Sequence, residues 1–294
     1  MSNWFRLAIL FLLCVNVFAE NELPPCPNCA VWNAPQTPFR IYGNTYYVGP
    51  HGLTSILITS ESGHILIDGG LAESADQIAM HIRSLGLRIE DVKLIVNSHV
   101  HFDHAGGIAE LQRLSGARVV ASDWSAAVMG KTGVGRNDPQ FGVIRPIALV
   151  KHVDVLSDGE SLHVGPLTIT AHFTPGHTPG GTSWTWKSCE ASNCLNLVYA
   201  DSLSAVSADG FKFGRSQQYP TAIQDFKKSF AFLRSTPCDI LLTTHPEASD
   251  LWARLEARQH GTTPDPMVDG ATCRNLADRA EEGFNKRLAS EAAQ

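Results

Sequence analysis

The chain has 294 residues, 44% of them hydrophobic and 18% charged, enough apolar mass for a sizeable core and too much for wholesale disorder. Acidic residues number 29 against 23 basic ones, a formal charge of −6, so there is no basic surplus to neutralise a nucleic-acid backbone. Twelve histidines stand out, and where they fall matters more than how many there are.

Residues 1–19 carry Arg6, the apolar run Leu7 to Val15, and the small residue Ala19. That layout predicts a secretory signal cut near Ala19, because the run is shorter than the roughly 20 apolar residues that span a bilayer. A lipidated Cys14 is disfavoured by the bulky Leu13 before it. Export to the periplasm or medium leaves a chain without a membrane segment and with six cysteines in an oxidising compartment, which allows 15 pairings. Cys189 and Cys194 close a short Glu-Ala-Ser-Asn loop between two strand-like runs and are expected to pair; Cys238 and Cys273 bracket a late strand and helix. Cys26-Pro27-Asn28-Cys29 lacks the further ligands of a zinc site and the βαβ context of a redox motif, which leaves a local bridge or surface thiols.

Residues 20–38, rich in Pro and Asn, are expected to form an extended arm ahead of one domain running to 294. Strand-like runs follow at Phe39–Val48, Thr54–Thr59 and His64–Ile67, then the turn signal Asp68-Gly69-Gly70. Ala75, Ile78, Ala79, Ile82 and Leu85 recur at helical spacing, with Gly86 placed to end the helix. Val92–Val96 predicts a buried strand, Ala105 to Leu114 a helix stopped by Gly116, and Arg118–Ala121 a short strand. Residues 130–147 form a long loop of the kind that covers a site. Its Gly130-Lys131-Thr132 resembles the end of a phosphate loop, but Ser125 stands where that motif needs glycine and no strand leads in, so nucleotide binding is rejected. Strands at Leu167–Phe173, Thr182–Trp186, Leu195–Ala200 and Asp239–Thr243 follow. Helices are expected around Ile223–Leu233, after Pro246, and through Leu276, Ala280 and Phe284. Strands followed by helices in both halves suggest an α/β arrangement of two face-to-face sheets flanked by helices.

Several of these strands end in polar residues. Val92–Val96 runs into Asn97-Ser98-His99-Val100-His101-Phe102-Asp103-His104, Leu167–Phe173 reaches His177, Leu195–Ala200 reaches Asp201 and Ser202, and Asp239–Thr243 reaches His245. Four metal-binding side chains within six residues are too many for one tetrahedral ion and suit two. A first ion is expected on His99, His101 and His177, three imidazoles that suit zinc and leave a position open to water. The second is expected on Asp103, His104 and His245. A water shared between two such cations loses its proton near neutral pH. Lone histidines more often cap loops or pair with carboxylates, and His51, His64, His81, His152, His163, His172 and His260 are read that way.

With those residues in view, the sequence resembles the metallo-β-lactamase superfamily, and within it the secreted subclass B3 enzymes that open the β-lactam ring of penicillins, cephalosporins and carbapenems. The resemblance runs from about Phe39 to the last helix and rests on Tyr46-Tyr47-Val48-Gly49, His64–Gly69, Asn97–Gly107, Thr174–Thr178, Ala200-Asp201-Ser202-Leu203-Ser204 and His245-Pro246-Glu247. It implies an αββα sandwich of two mixed sheets, two Zn2+ on the ligand sets above, and a small-molecule β-lactam as substrate. It also implies a supporting role for Asp68 outside the ligand set, no metal contact by Asp201, and Ser202 and Ser204 as groups that hydrogen-bond the substrate carboxylate. Asp103 is expected to accept a hydrogen bond from the attacking hydroxide as well as bind metal, and Gln140 and Phe141 are candidate groove residues. A lactonase or thioesterase of the same fold is the alternative, a secreted module with purely structural zinc is the other class considered, and a monomer is favoured.

Overall fold

The computed structural model describes residues 23–131 and 133–293. The expected signal segment, residues 1–19 with Cys14, lies outside the described residues.

Two sheets form the centre. The first contains β1 (Phe39–Tyr42), β2 (Thr45–Tyr47), β3 (Ile56–Ile58), β4 (His64–Ile67), β5 (Val92–Val96), β6 (Arg118–Ser122) and β7 (Val153–Leu156), side by side in that order. Its first four strands are antiparallel; β4 to β7 are parallel, joined through helices as parallel neighbours require. The connecting helices are α2 (Ser74–Ser84), the short α3 (Phe102–Ala105) with α4 (Ile108–Ser115), and α5 (Asp123–Met129). The second sheet contains β8 (Ser161–Val164), β9 (Leu167–Phe173), β10 (Thr182–Glu190), β11 (Asn193–Ala200) and β12 (Ile240–Thr243). β8 to β11 meander antiparallel, and β12 returns parallel to β11 after α6 (Ala222–Ser235). Helices α7 (Leu251–Gln259) and α8 (Thr272–Ala292) complete the chain.

The two-residue period of a strand explains the layering. On β4, Ile65 and Ile67 face the second sheet while Leu66 faces the helices; on β5, Leu94 and Val96 point inward and Ile95 outward. On β11, Leu197 and Tyr199 point inward and Val198 outward, and Leu241 of β12 shares that outer face. The inner faces bury Tyr47, Trp184 and Tyr199 completely, each contributing on the order of 2–3 kcal/mol from apolar burial. Outside the first sheet lie Ile78 and Ile82 of α2 with Leu111 of α4; outside the second lie Phe226 and Phe230 of α6 with Phe284 of α8. These faces give the αββα layering expected from the sequence.

Some boundaries differ. The run Phe39–Val48 is a hairpin rather than one strand, because Gly43 takes a left-handed turn (φ +52°) between β1 and β2. The arm is not extended throughout: Cys29–Trp32 forms the one-turn α1. The expected helix from Ala105 is split, since Gly106 and Gly107 pack where side chains cannot fit; a Cβ on Gly106 would sit 2.8 Å from the Ala72 nitrogen. Strands β7 and β8 and helix α5 were not expected. Cys189 and Cys194 pair across β10 and β11, Cys26 bridges to Cys29, and Cys238 bridges to Cys273, tying the start of β12 to α8. Among the described residues no helix is long and apolar enough to cross a membrane.

Candidate metal centre

The centre forms where strands of both sheets end at one edge. β5 delivers His99 to His104, with the last two donors on α3; the turn after β9 delivers His177; β11 delivers Asp201; and β12 delivers His245. The sheets are pinned together at this point. Trp184 Nε1 donates to the Asn97 carbonyl (2.9 Å) and the Thr182 amide donates to the Ser98 carbonyl (2.8 Å), so the loop that opens the histidine motif hangs from β10.

Asp68 supports the same loop. Sitting in the left-handed region (φ 60°) just after β4, it accepts hydrogen bonds from the Ser98 amide (2.7 Å), the Ser98 hydroxyl (2.7 Å) and the Tyr199 hydroxyl (2.6 Å). A non-glycine residue held there costs of order 1 kcal/mol or more, which three buried hydrogen bonds can offset. Burial raises its carboxyl above the ordinary range, against the opposing pull of His104 and the three donors.

Four of the five imidazoles are oriented by a hydrogen-bond partner on the outer nitrogen; only the outer nitrogen of His104 has none. His99 Nδ1 faces Asp201 Oδ1 at 2.7 Å, His101 Nε2 faces Asp138 Oδ2 at 3.1 Å, and His177 Nδ1 faces the Ser204 carbonyl at 2.9 Å. His245 Nδ1 faces the Gly52 carbonyl at 3.2 Å, and His104 Nδ1 lies 4.0 Å from Asp68 Oδ2. With acceptors on the outside, the outer nitrogens carry the protons and the inner ones keep lone pairs, the arrangement that metal-binding histidines need.

The inner nitrogens converge. His101 Nδ1 and His177 Nε2 stand 3.2 Å apart, two lone pairs face to face, and His99 Nε2 is buried with no hydrogen-bond partner. His104 Nε2 and His245 Nε2 lie 3.3 and 3.4 Å from Asp103 Oδ2. Ligands 2.0–2.1 Å from a tetrahedral ion are separated by about 3.3 Å, so these spacings match the edges of such a polyhedron. His99, His101 and His177 offer atoms all within 4.8 Å of one another, as do His99, Asp103 and His104. The residues present therefore fit two cations. His245 is the most open of the six, its side chain 30% exposed against 10% or less for Asp103 and His104, and Trp32 of α1 packs on it with ring centres 5.3 Å apart.

The electrostatics agree. Burial pushes the His177 imidazole down to about 3, helped by His101 beside it, and burial with neighbouring His104, His101 and His177 holds His99 well below its ordinary range. Burial works against the Asp103 carboxylate, but His104 and His245 outweigh it and keep the acid ionised. For His104, burial disfavours the proton while adjacent Asp103 favours it and prevails, raising its pKa.

Expected site residues fall as follows. His99, His101, Asp103, His104, His177 and His245 gather in one cluster. Ser202 Oγ bonds Thr244 Oγ1 (2.9 Å), and Ser204 meets His177 through its carbonyl and, at 3.2 Å, its hydroxyl. Gln140 Nε2 lies 3.4 Å from His101 Nδ1, while Phe141 on the same loop is exposed beneath Arg136. Of the histidines set aside, His81 bonds the Val48 carbonyl and His51 stacks on Trp252. Asp138, wholly buried against His101, was not anticipated; a lone aspartate in a polar loop carries no spacing signal.

This geometry has counterparts. The family described as the Metallo-beta-lactamase superfamily matches residues 48–190. The solved structure of Rm3 metallo-β-lactamase is 54% identical, with a TM-score of 0.89 over 92% of this chain and all of that one. MEM-A1, a subclass B3 metallo-β-lactamase from a soil metagenome library, is 52% identical, with a TM-score of 0.87 over 89% and 99% of the two chains. The chain belongs to the metallo-β-lactamases. Its resemblance is to subclass B3, and with the His and Asp donors in place it is a metallohydrolase. N-acyl homoserine lactonase AttM of Azorhizobium caulinodans is 31% identical over 157 residues, 44% of this chain and 57% of the lactonase, so the chain spans little more than half the length of that relative.

Proposed function

We propose that the chain is an exported di-zinc enzyme that hydrolyses the amide of the β-lactam ring in penicillins, cephalosporins and carbapenems. The observation that carries this reading is the set of inward lone pairs, those of His99, His101, His177 and His245 fixed by an outer acceptor, in a chain about half identical to metallo-β-lactamases over nine-tenths of its length. His99, His101 and His177 would hold the first zinc, and Asp103, His104 and His245 the second. Bound there, zinc supplies Lewis acidity and lowers the pKa of water toward neutrality.

The protein's own contribution is placement. Asp103 holds an ionised oxygen at the meeting point of both donor sets, where it can accept a hydrogen bond from the attacking water. Ser202 and Ser204 stand on the β11 side, where their hydroxyls can receive the substrate carboxylate, and Gln140 reaches the site from the 130–147 loop. Asp201, turned to the outer nitrogen of His99, positions that imidazole rather than binding metal. The net charge of −6 leaves no basic surplus for a nucleic-acid backbone. Three disulfides support export to an oxidising compartment.

The deciding experiment is hydrolysis of a carbapenem, a penicillin and a cephalosporin by purified zinc-loaded protein, after chelation, and after zinc is returned. Loss on chelation and recovery with zinc is expected. Inertness toward all three substrates, or activity that persists once metal analysis shows none bound, overturns the reading. The lactonase likeness supplies the rival, tested by ring opening of an acyl-homoserine lactone in parallel.

A further inference from the structure

The two donor sets are supported unequally. In the first, His99 and His101 are held by the buried carboxylates of Asp201 and Asp138, and His177 by the Ser204 carbonyl. In the second, His104 Nδ1 has no hydrogen-bond partner, and His245, partly open to solvent, has only the Gly52 carbonyl. The rest of what fixes the second set is packing, supplied by the N-terminal arm and the 130–147 loop.

Phe102 is the centre of that packing. It opens α3, the helix that carries Asp103 and His104. Its half-buried ring meets Trp32 of α1, with centroids 6.4 Å apart, and the Arg145 guanidinium, whose Cζ lies 5.8 Å from the ring centre. Trp32 also packs on His245, so one indole touches the elements that bear all three donors of the second set.

Arg145 ties the arm down. Its Nε donates to the Pro24 carbonyl at 2.6 Å, and its Nη1 points at Cys29 Sγ at 3.8 Å, where the Cys26–Cys29 disulfide closes the turn that leads into α1. The Trp32 amide bonds back to the Asn28 carbonyl at 2.8 Å, so a fixed Cys29 fixes Trp32 one turn on. Arg145 pairs with no carboxylate among the described residues. A half-buried guanidinium spent on a carbonyl, a sulfur and a ring is a fastening and not a surface charge. The far end of the arm is held separately, by the Gly52 amide on the Trp32 carbonyl (3.0 Å) and by Ser74 Oγ on Asn33 Oδ1 (2.6 Å). Removing Arg145 therefore leaves the arm attached and loosens the start of α1, together with the Phe102 face against which the indole rests.

We propose that Arg145 is a positioning residue for the second metal site: it clasps the arm to Phe102, seats Trp32 on His245, and so sets how tightly Asp103, His104 and His245 hold their ion, with little effect on the first set. The proposal rests on the reading that this second set binds zinc. It does not depend on which bond is broken, because metal affinity is its readout.

Competition with a chromophoric chelator resolves the two zinc affinities of the whole protein. Arg145→Leu is expected to weaken the second about tenfold and the first by less than about twofold, in keeping with the loss of an outer support. Trp32→Leu should do the same, and the double variant should fall within about twofold of the weaker single one, because both act through one stack. Arg145→Lys, which keeps a cation and one donor, should lie between Arg145→Leu and the unaltered protein. An unchanged second affinity in Arg145→Leu overturns the proposal, as do equal losses at both sites, or effects of the two substitutions that multiply to about a hundredfold. Unaltered protein that binds fewer than two zinc ions removes the second site itself and the functional reading with it. That outcome is distinct from two ions bound and Arg145→Leu without effect. If Arg145→Leu fails to fold by circular dichroism, Arg145→Lys decides alone, and a second-site loss below about twofold sinks the clasp.

Discussion

The Asp138 carboxylate meets His101 Nε2 at 3.1 Å, and both side chains are buried although 37 positions separate them. The same carboxylate accepts the Gln140 amide at 2.7 Å, so one acid fixes a metal-facing imidazole and the turn of the loop that carries Gln140. Removing its charge should loosen both. Asp138→Asn is expected to weaken zinc binding 10- to 100-fold, the usual effect of losing an outer partner of a ligand, measured by chelator competition. Proteolysis of the 130–147 loop should accelerate in the same variant. Unchanged zinc affinity would mean that His101 needs no such support.

Gly181 tests the matching role of Asp201. A Cβ there would clash with Asp201 Oδ2 and sit 2.6 Å from the Thr174 carbonyl, so neither neighbour can yield cheaply. Gly181→Ala should displace the carboxylate from His99 and lower first-site affinity more than it lowers the melting temperature of metal-free protein. Equal losses in both would show a packing defect and no specific action on His99.

His177→Ala removes one of the three imidazoles proposed to hold the first zinc. Turnover of a β-lactam is expected to fall by at least two orders of magnitude. The fold, read by circular dichroism, should persist because the layers on either side of the centre are packed independently of this residue.

Acid should empty the two sites in order. Protons compete with metal for each ligand. His104 has a raised pKa, so it takes a proton at higher pH than His177, whose imidazole is held down at about 3. As pH falls, metal content should drop from two per chain to one and then to none, the Asp103, His104 and His245 site emptying first. Metal analysis after dialysis at stepped pH values checks this; loss of the first site ahead of the second would contradict it.

The buried strands and the histidine motif were readable because their signals are local. His64–Ile67, Val92–Val96 and Leu167–Phe173 are runs whose burial shows in the residues themselves, and their observed limits match the expected ones. Cys189 and Cys194 were readable for the same reason, being a short loop apart. What escaped depends on partners far along the chain. Asp138 is a polar loop residue until His101 is placed beside it. Strand β7, with Val153 half-buried and Asp154 and Val155 exposed, shows little burial contrast and is specified by its pairing with β6. The arm's one-turn helix has no buried residue of its own, and its Trp32 gains meaning by packing on Phe102 and His245.

Both donor sets draw on each sheet: His177 and His245 come from the second, the other four from the first. An ion held by the proposed donors would therefore act as a rivet through the seam of the sandwich. Parting the two halves at that edge by even an ångström would pull donors beyond bonding reach, so metal and seam would hold each other.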